Sequence, residues 1–305
     1  MYTKLHAVAR QVADIIVGKD LQIRQALTCL LAGGHLLVED VPGVGKTTLA
    51  HALAISLGLR FNRIQFTSDL LPADVNGISI YEREKNGFVF HPGPIFTQVL
   101  LADEINRATP KTQSGLLEAM EERQVSADGV TRPLPLPFFV IATQNPTHQI
   151  GTFPLPESQL DRFLMRLSLG YPARSAEKAL LLGESRRELL PRIEPIIDHA
   201  ELAALQAEAR QVRASDALVD YVLRLVDATR SQPQFAYGLS PRASLAILSA
   251  ARAWALLAGR DYVIPEDVQA ILPSVIGHRL RERTDPTGHG GGALVQWLLR
   301  EVPVL

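Results

Sequence analysis

The stretch HLLVEDVPGVGKTTLAHALA, residues 35–54, constrains the fold more than any other part of the chain. A short apolar run leads into a turn carrying Gly43 and Gly45. Gly45-Lys46-Thr47 then opens a segment in which Leu49, Ala50, Leu53, Ala54 and Leu57 recur on one helical face. A buried strand, a glycine turn and a helix make half of a parallel α/β unit. The first N–H groups of such a helix are unpaired and point at whatever anion lies there. Glycines let the backbone curl around phosphates, while Lys46 is suited to β- and γ-oxygens and Thr47 to Mg²⁺. The pattern departs from G-x-x-x-x-G-K-T at one place: its first glycine is Asp40, which begins the turn rather than touching phosphate.

Up to about Tyr171 short apolar runs alternate with helical patterns, so an α/β layer is expected, with strands at 35–39, 62–66, 98–104, 137–143 and 165–170. Helices are expected at 47–57 and at 110–122, the latter opened by Thr109 as N-cap and Pro110. Two hairpins interrupt the alternation. One spans 77–93 around Asn86-Gly87; the other spans 123–137 around Asp128-Gly129, where the following prolines limit strand pairing. Beyond Pro172 the pattern is helical, at 174–189, 198–210, 215–230, 240–258 and 265–279. The expected division is an α/β core over 1–172 and an all-helical domain over 173–305, with a proline-bearing linker around 189–198. The glycine run 287–292 has no Lys-Ser/Thr after it and reads as a loop.

Asp103 and Glu104 end the apolar strand QVLLADE, at the carboxyl edge where open α/β sheets bind ligands. Asp103 completes a Mg²⁺ environment there, and Glu104 can orient and deprotonate an attacking water. Asn145 ends the strand of VIATQNP and brings a polar amide to the same edge. Arg162, on a short helix in GTFPLPESQLDRF, lies too far round to meet its own nucleotide but suits one bound by a neighbour; an arginine in trans is worth roughly 10³–10⁵ in rate. Arg242 falls in the first turn of a helix opened by YGLSPRA. The helix dipole disfavours a cation there, so a specific anionic partner is expected.

Composition narrows the remaining classes. A formal net charge of −1 provides no field toward nucleic acid or acidic membranes. The single cysteine, Cys29, sits in an apolar run, reads as a packed core residue and suits a reducing compartment. The eight histidines form no i, i+4 pair, so no transition-metal site is expected. HRLRERT (278–284) is basic but interrupted by Glu282, as in a solvated helix end. Apolar runs break before the roughly 20 residues of a membrane span. MYTKLHAVAR lacks a signal peptide's apolar core, and a cytoplasmic location is expected.

The motifs EDVPGVGKT, IQFTSDLLPADVNG, GFVFHPGPIF, LLADEINRA, ATQNP, GTFPLPESQLDRF, GLSPRA and GRDYVIPEDV, in this order, resemble those of the AAA+ superfamily and, within it, of the MoxR family. The resemblance implies a P-loop core with hairpin insertions and a helical lid. It implies ATP held by Pro42, Gly43, Val44, Gly45, Lys46, Thr47 and Thr48 (Walker A), and Asp103 with Glu104 as Walker B. Mg²⁺ would be held at Thr47 and Asp103. It further implies Asn145 as sensor 1, Arg162 as arginine finger, Arg242 as sensor 2, and Val17 and Gly18 in IIVGKD at the base of the adenine pocket. Asp40 is compatible with this family. Whose nucleotide Arg242 addresses is left open, because a family insertion repositions the lid. Ring assembly, usually hexameric, follows from the same resemblance. So do a protein client, a partner bearing a von Willebrand factor A domain, and a role in maturation or in metal or cofactor insertion. The apolar hairpin GFVFHPGPIF either meets that client or packs on its own sheet. A nucleic-acid motor is the alternative reading; it would need Lys/Arg-rich hairpins, whereas 77–93 balances Arg83 and Lys85 against Glu82 and Glu84. A small-molecule kinase would leave LLADE, Arg162 and the lid without purpose.

Overall fold

The structure, a computed structural model, describes residues 2–145, 151–182, 186–284 and 291–304. Strands β1 (Leu36–Glu39), β2 (Phe61–Gln65), β5 (Val99–Asp103), β8 (Phe139–Gln144) and β9 (Met165–Leu167) form one parallel sheet in the order β2-β5-β8-β1-β9. Parallel strands are buried on both faces, and every residue of β5 and β8 is buried. Side chains alternate between two cores. Leu36, Val38, Val99, Leu101 and Ile141 enter one; Leu37, Leu100, Ala102 and Val140 enter the other. Val38 pairs with Thr143 and Leu167, and Asp103 with Gln65, so the strands end level and set residues 40, 103–104 and 145 along one edge.

Helices α1 (Tyr2–Ile15), α2 (Asp20–Leu31) and α3 (Lys46–Ser56) cover the first face; α4 (Pro72–Asn76) and α5 (Pro110–Glu122) cover the second. The inserted hairpins are β3 (Gly77–Glu82) with β4 (Gly87–Pro92), and β6 (Gln124–Ala127) with β7 (Val130–Pro133). Asp128 and Gly129 both have positive φ, as a two-residue hairpin turn requires, and pairing stops at Pro133. After the short helix α6 (Glu157–Leu160) come α7 (Arg174–Leu182), α8 (Arg186–Leu189), α9 (His199–Gln211), α10 (Asp216–Ser231), α11 (Pro241–Leu257), α12 (Pro265–Ile276) and α13 (Gly291–Glu301). The first core continues unbroken from α1–α3 into α9–α13.

Several expectations are adjusted. Helices α1 and α2 occupy a region read only as a pocket segment and an apolar run; α1 buries Leu5, Val8, Val12 and Ile15 on one stripe. Thr109 stands at the N-cap of α5 but makes no cap bond, its hydroxyl lying 3.3 Å from that of Thr112. Arg162 follows α6 rather than lying within it. Cys29 is buried, as expected. Of the glycine run, 287–290 lie outside the described residues, and Gly291 and Gly292 open α13. The stretch 189–198 contains a 3₁₀ turn, Leu190–Arg192, and packs on the end of α3: Leu190 and Ile197 are buried, and Ile196 N donates to Ser56 O at 2.9 Å. Gly58 makes that approach possible, since a Cβ there would stand 2.7 Å from Ile197 O.

Two buried histidines tie this architecture to pH. His35, just before β1, accepts from Val140 N on Nδ1 (3.0 Å), so its Nε2 carries the proton toward Met120 O (3.1 Å). Burial pushes its pKa down to about 4. His278 lies 3.0 Å from Phe163 O, and burial together with Arg279 and Arg166 holds its pKa well below the usual value. Neutral forms are therefore favoured in the fold. Their stabilisation is full above the unfolded pKa of about 6.5 and is lost as pH falls below it. Denaturation midpoints measured from pH 7.5 to pH 5 should show a loss of about 2 kcal/mol from His35 alone, smaller in His35→Gln. Stability that is flat across this range would contradict the assignment.

Candidate active site

The turn between β1 and α3 is built by two left-handed glycines, Gly43 (φ 87°) and Gly45 (φ 97°), on either side of Val44. Alternating handedness of this kind makes backbone N–H groups converge into a nest for anions. Gly45 is the N-cap of α3 and no side chain caps that helix, so its first N–H groups are free for a ligand. Lys46 is buried, and its ammonium donates back to Asp40 O (2.6 Å), Val41 O (3.3 Å) and Asn145 Oδ1 (3.3 Å). Burial lowers its pKa, opposed by the charges of Asp40, Asp103 and Glu104. Thr47 and Thr48 are half-buried in the first turn, while Pro42 is exposed.

Asp40 explains why the missing first glycine is tolerated. Its carboxylate accepts from Val41 N (2.9 Å), Ser168 Oγ (3.0 Å) and Gly170 N (2.6 Å), lashing the start of the turn to the chain leaving β9. Beside the turn lies a cavity of about 230 Å³ lined by Val17, Gly43, Val44, Gly45 and Thr48, with Pro172 and Leu180 opposite. Gly18 does not line it but turns the chain beneath it with φ 73°, and a Cβ there would press on Ala176 at 3.2 Å. Lys19 Nζ donates to Tyr171 O at 2.8 Å on the same side.

Asp103 and Glu104 share a partner that the sequence reading missed. The buried Thr143 hydroxyl donates to Asp103 Oδ1 (2.5 Å) and accepts from Glu104 N (2.8 Å). Arg63, on β2, also went unnoticed; its guanidinium grips Asp103 Oδ2 through Nε (3.2 Å) and Nη2 (2.7 Å). Glu104 is left-handed (φ 56°), strain that persists only where the surroundings over-determine it. Its carboxylate meets Asn145 Nδ2 at 3.4 Å and Arg107 Nη1 at 3.2 Å. Asn145 thus spans Lys46 and Glu104. Lys46, Asp103, Glu104 and Asn145 come together at the carboxyl ends of three adjacent strands. The Thr47 hydroxyl and the Asp103 carboxylate are hard oxygen donors of the kind Mg²⁺ takes, one or two at a time, beside water and phosphate. Among the described residues no cluster of three or more His, Cys, Asp or Glu forms a metal cage.

Arg162 and Arg242 do not join that group. They line a second cavity, about 320 Å³, with Gly34, His35, Glu121 and Arg123. His35 precedes β1 and Asp40 follows it, so the two cavities sit at opposite ends of that strand, about 17 Å apart along extended chain. Arg162 Nη1 donates to Leu117 O (2.6 Å) and pairs with Glu121 Oε2 (3.1 Å). Arg242 Nη2 donates to Glu121 Oε1, which is the anionic partner its position in the first turn of α11 called for. Arg279, almost fully buried, bonds Asp161 Oδ1 (2.6 Å) and so fixes the residue preceding Arg162 against α12.

Comparison with known proteins gives the family and the fold that the chain is similar to. Residues 35–165 match the family model described as ATPase family associated with various cellular activities, and residues 227–296 match an AAA lid domain. The chain is 46% identical over 303 residues to the Bacillus subtilis (strain 168) protein YeaC, covering 99% of this chain and 94% of that one. It is 45% identical over 289 residues to Chaperone MoxR1 of Mycobacterium tuberculosis (strain ATCC 25618 / H37Rv), covering 91% and 76%. A crystal structure of a protein from Cytophaga hutchinsonii ATCC 33406 superposes with a TM-score of 0.88 at 35% identity, covering 99% and 95%.

Restoring the ordinary glycine should weaken this site. Asp40→Gly leaves Val41 N and Gly170 N without their acceptor and should cost about 1–3 kcal/mol in chemical denaturation. An unchanged midpoint would show that the lashing of the turn to Gly170 contributes nothing.

Proposed function

The chain belongs to the MoxR family of AAA+ ATPases, and on that premise we propose that each of its catalytic sites is completed by a neighbouring subunit in a ring that remodels a protein client. The observation that carries this reading is the separation of charges: Lys46, Asp103, Glu104 and Asn145 gather at one end of β1, while Arg162 and Arg242 gather at the other. ATP hydrolysis and chaperone-like character belong to the family; the shared site, the client and the residue roles are our proposal.

In this reading the adenine enters the cavity beside Val17, over the turn made by Gly18. The phosphates lie on the nest from Pro42 to Thr48. Lys46 exchanges the carbonyls of Asp40 and Val41 for β- and γ-oxygens, which return its desolvated charge to strong acceptors. Thr47 and Asp103 would hold Mg²⁺, which neutralises charge across the phosphates. Glu104 takes the proton of the attacking water, Asn145 holds that carboxylate and faces the γ-phosphate, and the P–O bond to ADP breaks as the new one forms. Arg162 and Arg242 of the next subunit stabilise the charge that develops. We assign Arg242 to the neighbour's nucleotide as well, and its sharing a cavity with Arg162 and not with its own Lys46 supports that reading.

Support for a protein client comes from the first hairpin, whose Ile78, Ile80 and Phe88 are exposed, Phe88 to 77%. Phe90 is covered instead, packed on Phe96 and under the guanidinium of Arg132, 3.7 Å above its ring. That stacking withdraws Arg132, and Lys85 pairs with Glu82 at 2.7 Å, leaving the hairpins poor in cations for nucleic-acid phosphates. We take residues 1–172 as the core and 173–305 as the lid, which share one continuous apolar core. Six subunits, a von Willebrand factor A partner and metal or cofactor insertion into an enzyme rest on the family resemblance, and action in the cytoplasm rests on the sequence features that suggested it.

Lys46→Ala should lose nucleotide binding, whereas Glu104→Gln should bind ATP and hydrolyse it roughly 10²–10⁴-fold more slowly. Mixing Glu104→Gln with Arg162→Ala should restore turnover, because some interfaces join an intact Glu104 to an intact Arg162. Arg242→Ala should behave like Arg162→Ala, each complementing Glu104→Gln and neither complementing the other. An Arg162→Ala protein with normal turnover would refute the shared site.

A further inference from the structure

Glu121 has no role in the mechanism above, yet it touches both arginines on which that mechanism depends. It lies exposed in the last turn of α5, and its two carboxylate oxygens are divided between two guanidinium groups. Oε2 faces Arg162, which follows α6 in the sheet-bearing part of the chain. Oε1 accepts from Arg242, in the first turn of α11. The same helix supplies a second anchor for Arg162, the carbonyl of Leu117 one turn earlier, at 2.6 Å. The other carboxylate in this cavity, Asp161, is engaged by Arg279 and by Ser240 Oγ (3.3 Å). Within the cavity Glu121 is therefore the carboxylate that pairs with both Arg162 and Arg242.

Two guanidinium groups side by side repel, and each is flexible through four side-chain torsions. A carboxylate bridging them offsets the repulsion and fixes their spacing. It does so through a minority of their donors: a guanidinium has five N–H groups, and among the described residues the contacts of Arg162 engage Nη1 while those of Arg242 engage Nη2. The remaining N–H groups stay available for a second anion. Carboxylate and phosphoryl groups can each present a pair of oxygens to the guanidinium fork. A pair held on one edge by a carboxylate is thus prearranged to receive a phosphoryl group on the other, and electrostatic stabilisation of a transition state depends on such preorganisation. The cavity retains excess positive charge, with Arg123, Arg162, Arg242 and Arg279 set against Glu121 and Asp161.

We propose that Glu121 is a positioning residue that holds Arg162 and Arg242 together as one receptor for the terminal phosphate of ATP bound to the neighbouring subunit. The proposal rests on the shared-site reading and adds to it that the two arginines, drawn from different parts of the chain, act as a unit only while Glu121 bridges them.

The test uses full-length Glu121→Ala, Glu121→Gln and Glu121→Asp proteins, with thermal melting to confirm that each folds. Glu121→Ala should lower kcat by about 10- to 100-fold, the scale expected for displaced catalytic groups, and change KM for ATP less than twofold, since the phosphate nest lies at the other end of β1. Glu121→Asp, which keeps the charge, should retain more turnover than Glu121→Gln, which keeps the size. In mixtures, Glu121→Ala should be complemented by Glu104→Gln but not by Arg162→Ala, because its defect lies on the arginine side of each interface. Wild-type kcat in Glu121→Ala, a raised KM with unchanged kcat, or restoration on mixing with Arg162→Ala would each overturn the proposal. The control mixture of Arg162→Ala with Glu104→Gln separates the two levels. If that control fails, the shared site is wrong; if it succeeds while Glu121→Ala is fully active, only the role of Glu121 is wrong.

Discussion

In a parallel sheet all strands finish on one edge, and here that constraint divides the charged groups of the candidate site into two sets. The carboxyl ends of β1, β5 and β8 carry the glycine turn, Asp103 with Glu104, and Asn145. The amino end of β1 carries the cavity into which Arg162 and Arg242 project. Four residues of extended strand, buried on both sides, keep these sets apart in one molecule. In the proposed shared site, arginines at the far end would serve phosphoryl transfer on a nucleotide presented by a second molecule. Under that proposal, the need for assembly would follow from the direction of the strands.

Each charge assigned to nucleotide in the proposed site already has an internal counterpart. Lys46 rests on the carbonyls that open its own turn, Asp103 is gripped by Arg63, Glu104 leans on Arg107, and the two arginines share Glu121. Unpaired charges at the buried or half-buried Lys46, Asp103 and Glu104 would be costly, so the fold supplies them with partners, and those of Lys46 and Asp103 would give way to phosphate and metal while Glu121 stays between its two arginines. The neutral framework behind them is fixed more firmly. Thr143 links Asp103 to the backbone of Glu104. The buried amides of Asn106 and Gln113 hold the carbonyls of Asn145 and Phe153, which ties the end of β8 to the segment leading toward Arg162.

Much of this was legible in the sequence because it is written in local patterns. The five strands, the two hairpins and most lid helices follow from apolar periodicity and turn residues, though α13 was not expected and the stretch 174–189 holds two helices rather than one, and the family follows from the motif order. The residue pairs that link elements were less accessible. Arg63 lies 40 positions from Asp103, and Glu121 lies 121 positions from Arg242; neither spacing carries a signal in a single chain. Thr143 was hidden inside an apolar strand motif, where its hydroxyl looks incidental. Helix α1 was missed because its stripe of Leu5, Val8, Val12 and Ile15 is diluted by Lys4, His6, Arg10 and Gln11. Asp40 ran the other way: the sequence marked it as a departure, and the structure shows a carboxylate that anchors the turn to Gly170.

The dependence of one subunit on another is tested most directly by dilution. ATP turnover per subunit would be measured across a range of protein concentrations, with the mass of the species present recorded in parallel, for example by light scattering. Turnover should fall with the assembled fraction and approach zero once monomers dominate, while nucleotide binding persists. Monomers that hydrolyse ATP as fast as assembled subunits would contradict a site divided between neighbours.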